Sequence, residues 1–60
     1  MCLFKVYLDG RKLAEGVAVA EKRNGKLRLF NSALREVASL ENVELVKVDT
    51  LNELILLREA

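Results

Sequence analysis

The chain contains no histidine, no proline and no tryptophan, and only one cysteine, one tyrosine and two phenylalanines. Without histidine there is no imidazole base, so Ser-His and Cys-His nucleophile pairs are excluded. With Cys2 as the sole cysteine, no disulfide can close within the chain. A lone thiol suits a reducing compartment, and a cytoplasmic location is expected. Gly10, Gly16 and Gly25 make neither GxGxxG nor GxxxxGK[ST], so no phosphate-cradling loop is encoded. A charged start leading into a long apolar run is missing. No stretch approaches the roughly 20 apolar residues of a membrane-spanning helix, and neither a targeting segment nor a membrane partner is expected. No Ser- or Gly-rich stretch marks a linker, so residues 1–60 read as a single domain.

What is present is largely aliphatic. Hydrophobic residues make up 52% of the 60 positions, and Leu and Val dominate them. A chain of this length buries only about 60% of the surface its unfolded form exposes, so a partner or a metal is needed to raise its stability. Ten basic residues against nine acidic ones leave a net charge of +1. That is too weak a field to gather nucleic acid or an anionic membrane surface, and nucleic acid is not an expected partner.

The patterning is β throughout most of the chain. Cys2 to Leu8 alternates, with Phe4, Val6 and Leu8 on one face. Asp9-Gly10 and Asn24-Gly25 are hairpin signals, because these residues tolerate the positive φ of a type I′ turn. Between them, Leu13 to Glu21 alternates again. Leu13, Val17 and Val19 share one side, and Ala14, Gly16, Ala18 and Ala20 share the other. So small a second face implies close packing or a sharp bend. Lys26 to Phe30 forms the next strand. From Asn31 to Asn42, Ala33, Leu34, Val37, Ala38 and Leu40 recur at helical spacing, yet a short strand plus loop fits equally. Val43 to Val48 and Glu53 to Leu57 close the chain as a hairpin around Asp49-Thr50-Leu51-Asn52. Both closing strands are apolar on two faces, which calls for a second cover: another subunit, barrel closure or one crossing helix.

Catalysis is not expected. The carboxylates at Asp9, Glu15, Glu21, Glu36, Glu41, Glu44, Asp49, Glu53 and Glu59 show no acid/base spacing, and so small a chain can scarcely shape a cleft. Lys22, Arg23, Lys26 and Arg28 gather around the second turn and could meet phosphate, but no aromatic residues interleave them as a stacking platform. Cys2 has two readings. It is a small buried hydrophobe beside Phe4, Val6 and Leu8, or it is a metal ligand. If Met1 is removed, Cys2 offers an amine and a thiol in one five-membered chelate, a donor set suited to Ni(II) or Cu(II). One chain has too few such donors. Two Cys2 termini meeting at a two-fold axis would complete an N2S2 set.

On these residues the chain resembles the CooT family, small accessory proteins linked to nickel delivery for carbon monoxide dehydrogenase. The resemblance lies in Met1-Cys2, the apolar strand running to Asp9-Gly10, the total length, and a closing D-x-x-N-x-x-I-x-L pattern of Asp49, Asn52, Ile55 and Leu57. It covers most of the chain and weakens between Asn31 and Asn42. It implies an all-β fold, a small antiparallel barrel-like sheet of SH3 or Sm type with about six strands built from hairpins, and it tips the ambiguous segment towards strand. It further implies a homodimer holding one Ni(II) between its subunits through Cys2 and nearby backbone nitrogen, and a nickel-enzyme client. Relatives are often labelled RNA-binding, so the alternatives are a small-barrel RNA-binding protein using Lys22–Arg28 and a protein-interaction module with no metal. Hydrogenase maturation chaperones of the HypC type also begin Met-Cys, but a proline usually follows there, and none occurs here.

Overall fold

Two tight turns frame the fold. Asp9 and Gly10 hold φ of 48° and 84°, and Asn24 and Gly25 hold 51° and 77°, so all four residues occupy the left-handed region that hairpin turns of this class require. The computed structural model describes residues 2–60, which form six strands and no helix. These are β1 (Phe4–Leu8), β2 (Arg11–Arg23), β3 (Lys26–Asn31), β4 (Glu36–Glu41), β5 (Val43–Asp49) and β6 (Leu54–Glu59). The expected all-β class is therefore observed.

The strands make one sheet in the order β4-β3-β2-β1-β6-β5. The sheet is mixed rather than purely antiparallel, because β1 and β6 pair in parallel, with Lys5 opposite Leu54 and Leu8 opposite Leu57. Chain reversals explain this. Antiparallel pairs join β1 to β2, β2 to β3, β3 to β4 and β5 to β6. Only Asn42 separates β4 from β5, which are not paired and lie at opposite edges of the sheet. Four reversals, an even number, return β6 in the direction of β1. For one residue to link the two edges, the sheet must curl until they meet at that corner. Asn42 turns there with φ of 56°, and its carbonyl accepts a hydrogen bond from the Ala60 amide (2.8 Å). Beyond the corner the edges are unpaired, so the curl is an open barrel with a seam.

Asn31 to Asn42 is loop and strand. The Asn31 carboxamide oxygen accepts from the amides of Ala33 (2.9 Å) and Arg35 (3.0 Å), as a helix cap would. Leu34 then turns to φ of 62°, which stops a right-handed helix, and Glu36–Glu41 pairs with β3 instead.

Bulges decide which side chains face inward. Phe4 and Val6 stand opposite Val17 and Ala14, and Val6 and Tyr7 opposite Ala14 and Lys12, so β2 carries an extra residue at each step. Another shift lies between Val17 and Val19 against β3. Each extra residue reverses the alternation and bends the strand. The face expected from simple alternation is accordingly split: Val17 is buried, whereas Leu13 and Val19 are exposed and Ala14 packs inward. Gly16, within the first bulge, takes φ of 67°. The core gathers Val6, Val17, Leu27, Leu29, Val43 and Leu57, with Phe4, Leu8 and Ile55 packed around it. Curling thus covers one face of β6 from within the chain. On β5, Leu45, Val46 and Val48 remain half or more exposed.

Two substitutions separate packing from backbone geometry. Leu29 is fully buried, so Leu29→Ala should cost roughly 2–5 kcal/mol in urea unfolding. A Cβ at Gly16 would meet no atom within 4 Å, so Gly16→Ala should lose only the conformational term, about 1–2 kcal/mol.

Candidate functional site

Cys2 lies two residues ahead of β1 and is exposed, a free thiol. The buried-hydrophobe reading of Cys2 is overturned. The alternating face it would have extended begins only at Phe4, which packs against the core, and the preceding Leu3 is itself partly exposed. Met1, whose removal would free an amine at Cys2, lies outside the described residues.

The strand registers bring three segments to the same end of the sheet as Cys2. The Lys5 amide donates to the Glu53 carbonyl (2.9 Å), placing the β5–β6 turn beside the start of β1. Phe4 faces Val17, and Val17 faces Asn31, so the β3–β4 loop also belongs to this end. Each segment presents an apolar side chain to solvent: Leu3, Leu34 at 71% exposure and Leu51 at 94%.

The turn carrying Leu51 is held firmly. Asp49 Oδ1 accepts from the Asn52 amide (3.0 Å), and Asp49 Oδ2 accepts from Asn52 Nδ2 (2.9 Å). Glu53 completes the turn at φ of 55°. The Asn52 side chain, then its backbone amide, stabilise the Asp49 carboxylate and hold its pKa below the ordinary 3.8, with Lys47 Nζ at 3.6 Å adding to the effect. The D-x-x-N element of the closing pattern is thus a turn clamp.

No protein-family model matches this chain, and no curated protein does. Function therefore has to be read from the residues themselves.

Among the described residues no three His, Cys, Asp or Glu side chains gather as a metal cage.

The basic hairpin is divided by its own pairing. Residues opposite one another on an antiparallel pair share a face. Lys22 stands opposite Leu27, a core residue, and donates to the Val43 carbonyl across the seam (3.3 Å). Arg28 stands opposite Glu21, and Arg23 opposite Lys26, on the other face. There, carboxylates are interleaved with the cations. Arg28 Nε donates to Glu36 (2.6 Å), Arg28 Nη1 lies 3.8 Å from Glu21, and Arg23 Nη2 lies 3.4 Å from the same carboxylate. Glu36 foremost, and Glu21 after it, hold the Arg28 guanidinium still more firmly protonated. That guanidinium stacks over Phe30, 5.0 Å from the ring centroid. The four cations therefore do not converge on one surface.

The Asp49 clamp has a pH signature. A carboxyl held below its unfolded pKa contributes stability above that pKa and loses it as pH falls through the folded value. The stability gap between wild type and Asn52→Ala should be widest above about pH 4 and should close towards lower pH. Carboxyl-carbon NMR titration of Asp49 in both proteins checks this, with the variant titrating at the higher pH.

Proposed function

We propose that this chain is a nickel-binding accessory protein. Two copies would hold one Ni(II) between them, each supplying the Cys2 thiolate and a neighbouring backbone nitrogen. The single observation that carries the reading is the exposure of Cys2 ahead of β1. A free cysteine is among the most buried of residue types, so a thiol left in solvent is open to metal or to chemistry. The donor chemistry fits: sulfur and nitrogen in a plane suit Ni(II), and the ion would draw the two thiolates together. Neither subunit needs to enclose the ion alone, in keeping with the lack of a three-residue cage among the described residues. Support for a homodimer at this end comes from Leu3 and Leu51, whose exposure leaves apolar surface beside the proposed ligand.

The accessory role, in place of catalysis, rests on the side-chain inventory, which has no imidazole and no paired carboxylates at acid/base spacing. The site would load and release an ion for a nickel enzyme, in the cytoplasm. Among the described residues, no helix is long and apolar enough to cross a membrane. The RNA-binding alternative has less support, because Lys22 is on the opposite face from Arg23, Lys26 and Arg28.

Calorimetric titration of Ni(II) should give one ion per two chains and a thiolate-to-nickel charge-transfer band, with both lost in Cys2→Ala. Unchanged binding in that variant rejects the proposal. Affinity should also fall as pH is lowered, because protons compete for sulfur and nitrogen alike. Leu51→Asp should weaken dimer formation in sedimentation while leaving the monomer's stability within about 0.5 kcal/mol of wild type.

A further inference from the structure

An apolar groove of about 300 Å³, which Cys2 does not line, opens where β2 and β3 face β5 and β6 across the curl. Leu27 and Leu29 line it from β3, Leu45 and Val48 from β5, and Ile55 and Leu57 from β6. Among the described residues, Lys22 is the one charged side chain that lines it. Among the described residues Lys22 has no carboxylate partner, and its one hydrogen bond goes to the Val43 carbonyl at 3.3 Å, leaving donors of the ammonium free. Arg23 and Arg28 of this hairpin pair with carboxylates on the opposite side of the sheet.

We propose that this groove is a binding site for an aliphatic carboxylate, with the hydrocarbon chain along Leu45, Val48 and Ile55 over the buried leucines and the carboxylate on Lys22. The volume lies at the lower end of small-ligand sites, and an apolar wall with one placed charge is their usual make-up. The sign of that charge selects an anion. A neutral chain forgoes that attraction, which is modest because Lys22 is exposed, and a cationic amphiphile would be repelled. A second copy of this chain, whose β5 carries Glu44 and Asp49, is the competing occupant.

Titration of octanoate into the metal-free, full-length protein, followed by amide and methyl NMR, tests the assignment. Saturable shifts are expected at Leu27, Leu29, Ile55 and Leu57. Affinity should rise from hexanoate to decanoate by up to about fourfold per methylene. It should fall roughly two- to fivefold for 1-octanol and for Lys22→Gln, the scale of an exposed ion pair, and Lys22→Arg should restore it. Unfolding curves of both variants confirm that the groove is intact. The site is overturned if no saturable shifts appear at millimolar octanoate or if they fall outside the groove. It is overturned equally if 1-octanol binds as tightly as octanoate in wild type, or if the groove resonances move on dilution of the protein alone, which would mark a second copy as the occupant. Nickel loading enters none of these measurements, so their failure leaves the Cys2 proposal standing.

Discussion

A one-layer sheet has an interior only if it curls, and in this chain the curl is enforced at Asn42. That residue alone separates two strands lying at opposite edges of the sheet. Bringing those edges together wraps β2 and β3 over β6, and the aliphatic side chains of all three meet as a core. The parallel pairing of β1 with β6 follows from the same link, because the chain passes from β4 to β5 without reversing. The ties at the C-terminal end, from Ala60 to Asn42 and from the Asp9 amide to the Leu57 carbonyl (3.0 Å), hold the wrapped form in place.

The same constraint creates the two functional regions. Curling draws the start of β1, the β5–β6 turn and the β3–β4 loop to one end, where Cys2 stands in solvent beside exposed leucines. Because the curl stops short of closure, it also leaves the seam, with Lys22 reaching across to β5 at one point. One region presents an exposed thiol and the other an apolar groove beside a lysine.

Residue types with strong local preferences made much of the fold legible. Asp9-Gly10 and Asn24-Gly25 announce their turns because backbone sterics alone favour them there. The face of Phe4, Val6 and Leu8 was readable because β1 itself carries no extra residue against β6. On β2 the same reasoning fails: its bulges are one-residue insertions relative to a neighbour, and a single strand's sequence has no neighbour to be compared with. Asn31 misleads in a related way, since its side chain caps a turn with the hydrogen bonds that would open a helix. Pairing of Glu36 and of Ala38 to Glu41 with β3 settles that segment through hydrogen bonds between strands, not local propensity.

By itself the sequence determined the class of fold, the positions of both tight turns, and the chemistry on offer: one thiol, no imidazole, and charges nearly in balance. These are properties of residues and of their immediate neighbours along the chain. Tertiary structure alone decided the direction of β6 and the exposure of Cys2. Each of those depends on which strand lies next to which, and in what register. That information is carried by hydrogen bonds and contacts between residues far apart in the chain, so no local pattern contains it.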